Sequence, residues 1–232
     1  MPIASTTIPE KFYTNSGNRD VLDLLEPRCK KVLDVGCGAG DNARLSRDLG
    51  VERQFYGITN SSLERESALQ FMSQCWIEDI ETSQLDCLLG LEFDAIIFSH
   101  VLEHVREPAS IVEKFLPFLK SEGLVVVALP NVLAWPQRLS FLFGKFEYEN
   151  DGVMDSSHVR FFTYHTADNC LPNGESGVRI LDKLVNGSVP LWGLRRYVLP
   201  STLSAWLDRK ACAVFPNLFG TQIFIKAKKE SS

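Results

Sequence analysis

The chain of 232 residues contains no run of about eighteen apolar residues, the length a membrane-spanning helix requires. It has no cluster of Lys and Arg either. Its 24 basic residues are outnumbered by 29 acidic ones, and the formal charge of −5 argues against a nucleic-acid-binding face. Met1 to Glu10 lack a basic start followed by an apolar core, so no secretory leader is expected. No two cysteines are spaced C-x-x-C. Cys29, Cys37, Cys75, Cys87, Cys170 and Cys212, several of them inside apolar runs, read as reduced and mostly buried thiols rather than a disulfide frame or zinc knuckle. No internal repeat or low-complexity stretch is visible. These absences leave a cytoplasmic globular protein, and 45 % hydrophobic with 23 % charged residues fits that class. Residues 1–232 are expected to form one domain, with 132–176 and 187–219 as substrate-side insertions.

What is present is an alternation of short apolar runs with helical patterns, the mark of βαβ units and a parallel sheet. Helices are expected at Arg19 to Leu25, Asn42 to Leu49, and from a Ser61 or Ser62 cap through Phe71. Strands are expected at Lys31 to Val35, Gln54 to Ile58, Cys75 to Ile77 and Phe93 to Phe98. Pro108 opens a helix whose apolar face repeats at Ile111, Phe115 and Leu119, with Gly123 as its stop. Leu124 to Leu129 reads as a fully buried strand, broken by Pro130 and Asn131. Residues 132–162 read as irregular and aromatic. Val178 to Leu184 and Thr221 to Ala227 complete the sheet, with an apolar insert between them.

The first strand runs into glycines at 36, 38 and 40 and then into a helix. Missing side chains let backbone N–H groups approach a ligand at such a turn. The dinucleotide fingerprint G-x-G-x-x-G needs a glycine at 41, where Asp41 places a negative charge instead. A cationic ligand fits better than a pyrophosphate, which disfavours a nicotinamide dehydrogenase.

The segment Val32-Leu33-Asp34-Val35-Gly36-Cys37-Gly38-Ala39-Gly40 resembles motif I of the class I S-adenosylmethionine-dependent methyltransferases. Phe93-Asp94-Ala95-Ile96-Ile97 with His100-Val101-Leu102-Glu103-His104-Val105 is similar to their fourth-strand motif, and Ser121 to Asn131 to their fifth strand. The resemblance covers residues 19 to 131 in order. It implies an α/β fold: a Rossmann-like seven-stranded, mostly parallel sheet with helices on both faces and a lid insertion after the fifth strand. It also implies S-adenosyl-L-methionine as cofactor, with Asp34, Gly36, Cys37, Gly38 and Gly40 at its amino-acid end. Thr59 and Asn60 would face the ribose, where the family commonly has an acidic residue, and Asp79 and Ile80 the adenine. Ser99 and His100 would complete the cofactor wall. Tyr13, before the first helix, is a candidate cover.

Arg138 to Tyr148, Gly152 to Thr163 and Pro216 to Gln222 look like a narrower bacterial subgroup associated with glycan and secondary-metabolite assembly. The resemblance implies a small-molecule acceptor, possibly sugar-containing, methylated on oxygen. Ligands of open α/β sheets collect outside the carboxyl ends of the strands. There Trp135, Phe146, Tyr148 and Phe161 are candidate pocket walls.

The four histidines, 100, 104, 158 and 165, all fall in these motif regions. His158 is the expected general base, with Asp155 to orient its ring, and His100 is the second candidate. His100-x-x-Glu103-His104 also matches a metallopeptidase pattern, but that pattern belongs on a long helix, not directly after a buried strand. Quinone-precursor and small-RNA methyltransferases bind a divalent metal with a similar E-x-x-E-H and a later histidine. Here His100 replaces the first glutamate, and the same segment occurs in metal-free relatives, so no metal is assigned. A non-catalytic relative of the fold remains the alternative to an enzyme.

Overall fold

The computed structural model describes residues 15–172, 177–191, 195 and 199–230. Tyr13 and the Trp192 portion of the second insertion lie outside these. Seven strands form one sheet in the order β3-β2-β1-β4-β5-β7-β6. They are β1 (Lys31–Val35), β2 (Gln54–Thr59), β3 (Gln74–Ile77), β4 (Phe93–Ser99), β5 (Leu119–Pro130), β6 (Val178–Gly187) and β7 (Gly220–Lys229). The first five pair in parallel, and β7 runs antiparallel between β5 and β6. This is the Rossmann-like methyltransferase architecture expected from the glycine loop and the βα alternation.

Strand side chains alternate between two apolar layers, as the pleat requires. Leu33, Val35, Ile96, Phe98, Val125 and Val127 pack under helix α4 (Pro108–Phe115). Val32, Ala95, Ile97, Leu124, Val126 and Ala128 pack under α1 (Arg19–Leu24), α2 (Asp41–Asp48) and α3 (Ser62–Ala68). Both faces are therefore covered by helices.

The local rules account for most boundaries. Asn18 caps α1 by accepting from the Val21 N–H, and Ser61 caps α3 by accepting from the Glu64 N–H. Helix α3 stops at Ala68 rather than Phe71, because the Phe71 and Met72 N–H groups both close onto the Ala68 carbonyl. That turn delivers Gln74 into register with Tyr56. The helix from Pro108 does not run to Gly123. It ends at Phe115, where Pro117 lacks the N–H the next turn would need, and β5 already begins at Leu119 opposite Phe93. Ser121 to Gly123 sit inside that strand as an irregularity, with Glu122 at φ 64°.

Within the stretch expected to be irregular, Trp135–Leu142 forms a helix, α5, with no buried residue. Lacking a core-facing stripe, it carries no periodic signal. A longer helix, α6 (Ser201–Val214), lies in the second insertion. No helix among the described residues is long and apolar enough to cross a membrane.

Candidate active site

A cavity of about 1150 Å³ opens at the carboxyl ends of β1 to β4. Of the expected cofactor residues, Gly36, Cys37, Gly38, Thr59, Asn60, Asp79, Ile80, Ser99 and His100 line it. Asp34 and Gly40 do not. Asp34 is 1 % exposed and accepts from Asn42 Nδ2 at 3.0 Å, so it holds a wall residue from behind. Burial raises its carboxyl to about 7, with the Asp41 charge adding and the Asn42 bond opposing. Its Oδ1 has no partner. Gly40 faces α3, where a Cβ would come 2.9 Å from the Ala68 Cα. Its absent side chain serves helix packing, not the ligand.

Gly36, Gly38 and Gly40 adopt φ of 69°, 51° and 84°, the left-handed region that a side chain strains. At Gly36 a Cβ would also meet Val101 Cγ2 at 2.3 Å. Gly57, in the middle of β2, makes room for sulfur. Cys37 Sγ lies 3.7 Å from Cys75 Sγ across it, and a Cβ there would sit 2.6 Å from Cys37 Sγ. All six cysteines are free thiols.

In the turn after β3, Asp79 accepts from the Glu81 N–H at 2.9 Å and from Thr82 Oγ1 at 2.9 Å. Those bonds, the Glu81 one foremost, hold its carboxyl below the usual range. Each oxygen keeps a lone pair for a ligand. Sequence reasoning missed several wall residues. Asn15 to Asn18 fold over the glycine loop through Asn15 N–H to Asp41 Oδ2 (2.7 Å) and Asn18 N–H to Asn42 Oδ1 (2.8 Å). Glu64, 3 % exposed, reaches the wall from the first turn of α3.

Beside the glycine loop, the β4 end meets the insertion after β5. The main-chain N–H groups of Val159 and Arg160 both donate to the Glu103 carbonyl, at 2.9 and 3.0 Å. His104 and His158 stack edge to face with centroids 4.8 Å apart. Each ring turns Nδ1 toward a main-chain carbonyl: His158 to Val153 at 3.0 Å, His104 to Ser157 at 3.3 Å. A carbonyl only accepts, so Nδ1 carries the proton in both and Nε2 keeps its lone pair. Burial lowers His158 below the ordinary imidazole range, only partly opposed by the Glu103 charge. It is thereby neutral near pH 7.

Asp155 Oδ1 accepts from the Ser157 N–H (2.8 Å) and hydroxyl (2.6 Å), closing the tight turn that precedes His158, and its charge acts to raise that imidazole. His100 sits at φ 57°, with Nδ1 3.2 Å from Glu103 Oε1. Burial pushes its imidazole down, but Glu103 and Gln222 more than offset this and raise it. Glu103 Oε2 is buried without a partner, and ligand atoms of Glu103, His104 and His158 lie within 4.8 Å of one another.

The expected aromatic walls stand elsewhere. Phe146 and Tyr148 are exposed, Phe161 lies outside the lining, and Trp135 donates to the Ser188 carbonyl beside a separate shallow depression. Without a buried apolar partner, these rings have nothing to draw them into the cavity. Among the described residues its wall holds no Phe, Tyr or Trp.

Comparison with known proteins agrees with this geometry. A family model described as a methyltransferase domain matches residues 12–173. The ubiquinone biosynthesis O-methyltransferase of Actinobacillus pleuropneumoniae is 33 % identical over 109 residues, 44 % of this chain and 46 % of that protein. The chain thus matches about half the length of such relatives. Among solved structures, a SAM-dependent methyltransferase from Archaeoglobus fulgidus superposes with a TM-score of 0.59 at 18 % identity, over 88 % of this chain and 87 % of the other. The plantazolicin methyltransferase BpumL in complex with SAH gives 0.53 at 16 %, over 88 % and 77 %. At such identities the likeness is one of fold.

Proposed function

The chain belongs to the methyltransferase domain family, with S-adenosylmethionine as methyl donor, and we propose that its acceptor is a hydroxyl oxygen of a small, polar, sugar-like molecule. The observation that carries this reading is the set of polar residues that line the cavity outside the expected cofactor positions. Asp151, Asp155, Ser157, His158, Asn186 and Gln222 line it, and no Phe, Tyr or Trp does among the described residues. These residues offer many hydrogen-bonding partners to an acceptor rich in hydroxyls. The named relatives act in ubiquinone biosynthesis as O-methyltransferases, which supports oxygen as the acceptor atom.

In this reading S-adenosylmethionine, held along Gly36, Gly38, Thr59 and Asp79, would supply an electrophilic methyl to the acceptor oxygen and would leave as S-adenosylhomocysteine. The acceptor's proton passes to His158 Nε2, whose lone pair is left free by the Nδ1 bond to Val153. The test is methyl transfer from labelled donor to a panel of sugars, polyols and catechols, read by mass spectrometry. Turnover confined to catechols would sink the sugar-like acceptor.

One observation favours a second reading of the same residues. Three ligand atoms within 4.8 Å, two rings held by carbonyls at Nδ1 and an unpartnered Glu103 oxygen fit a divalent ion. A bound ion would supply Lewis acidity to the acceptor oxygen, with Glu103, His104 and His158 as its holders. Calorimetric titration of the chelator-treated protein with Mg²⁺ or Zn²⁺ separates the two. Saturable binding lost in His104→Ala supports the metal; no binding, with full turnover in chelator, supports His158 as base.

A further inference from the structure

S-adenosylmethionine is a linear arrangement of amino acid, ribose and adenine. The sheet order β3-β2-β1 places the end of β2 between the glycine loop after β1 and the Asp79 turn after β3. With the amino acid at the glycine loop and adenine at Asp79, the ribose falls at the end of β2. Its hydroxyls need acceptors there, since a buried O–H without one is costly.

The side chains at that point are Thr59 and Glu64, both buried and both on the cavity wall. They are joined by a short hydrogen bond, Thr59 Oγ1 to Glu64 Oε2 at 2.5 Å. A carboxylate has only lone pairs to offer, so the proton in that bond belongs to threonine. The Thr59 oxygen also accepts the Ser61 N–H at 3.2 Å. Its one hydrogen and one of its two lone pairs are therefore committed, and a single lone pair remains. A hydroxyl so fixed cannot rotate to donate. It behaves as one carboxylate oxygen.

Resting on the donor assignment above, we propose that Thr59 and Glu64 act as a relay that reads one ribose hydroxyl. Thr59 accepts that hydroxyl's proton, and Glu64 is the positioning residue that fixes Thr59 in the acceptor role. The chain thereby delivers carboxylate-like recognition from a helix-borne acid, through a neutral residue at the strand end.

The experiment is calorimetric binding of S-adenosylhomocysteine and its 2′-deoxy and 3′-deoxy analogues. The wild-type protein should prefer the parent over one of the two analogues by about tenfold, the worth of one good buried hydrogen bond. Glu64→Met keeps the chain length but removes the acceptor and frees the Thr59 rotor, so the preference should fall towards one. Thr59→Ser should keep the preference, and Thr59→Val should abolish it. Melting temperatures of all variants monitor the fold. Equal weakening of parent and analogues in Glu64→Met, with the preference intact, would reduce Glu64 to a structural role and overturn the relay. So would equal binding of parent and both analogues by the wild type. If the wild type binds none of the three compounds, it is the donor assignment itself that fails.

Discussion

The main-chain carbonyl of Val153 stands 3.0 Å from Nδ1 of His158, and this one bond fixes which ring nitrogen faces the cavity. It does the work that a carboxylate performs in many base-orienting pairs, but without adding charge. The ring therefore stays neutral, because burial is not offset by a paired acid. His158→Ala should lower turnover by about 10²–10⁴-fold, the usual range for a lost general base. Affinity for S-adenosylhomocysteine should be unchanged, since the proton His158 would take belongs to the acceptor and not to the donor. Wild-type turnover in the variant would remove His158 from the chemistry.

Asp34 gives the protein a pH-dependent stability of unusual sign for a carboxylate. Its pKa rises from 3.8 to about 7 in the folded state, so the folded protein keeps a proton that the unfolded chain releases. Stability is then greatest below about pH 4 for this group and is lost as pH rises towards 7, by an amount on the order of 1–4 kcal/mol. Urea denaturation of wild type and Asp34→Asn across pH 4–8 isolates the effect. The difference between the two curves should shrink or reverse over that interval, and parallel curves would contradict it.

Gly36 is expected to tolerate no side chain. Gly36→Ala combines a left-handed backbone with a Cβ 2.3 Å from Val101 Cγ2, and should cost roughly 1–3 kcal/mol. Adding Val101→Ala relieves the contact but not the backbone. The double variant should recover part of the loss, and full recovery would show that the φ of Gly36 matters little.

Asp79→Ala should weaken S-adenosylhomocysteine by about 1–3 kcal/mol through loss of an acceptor for the adenine amine. Its carboxylate also closes the turn through Glu81 and Thr82, so affinity alone does not isolate the role. The inosine analogue supplies the control. Wild type should bind it more weakly than the adenosine compound, and Asp79→Ala should bind both alike.

Most of the sheet was legible because each core strand is a short unbroken apolar run, the mark of a strand buried on both faces. Val32 and Leu33, or Ile96 and Ile97, point to opposite apolar layers, and that pattern needs no knowledge of the partners. The glycine loop was legible as a ligand turn, but not which glycine faces the ligand. Gly40 turns to Ala68, a contact from a helix some thirty positions away that leaves no mark in the local sequence. Glu64 was hidden for a different reason. Ser61-x-x-Glu64 has the spacing of a helix cap, and half of that reading holds: Ser61 accepts the Glu64 N–H. The glutamate side chain then turns to Thr59 rather than to the Ser61 N–H. The aromatic walls failed because a ring-rich loop signals only that rings are present, not which side of the loop they take.

The pairing of Val159 and Arg160 to the Glu103 carbonyl has a consequence for exchanging parts between relatives. Arg160 extends the seam by donating to the Arg106 carbonyl and reaching Glu107. The insertion proposed to wall the acceptor side is thus sewn to the turn after β4 by two main-chain bonds, which tolerate side-chain change but not a change of backbone path. The unit of inheritance for acceptor choice is then a pair of segments, roughly residues 100–107 with 149–162. A chimera that transplants the insertion alone leaves the Glu103 carbonyl facing a foreign loop. One that moves both segments carries the seam, and the chemistry beside it, intact.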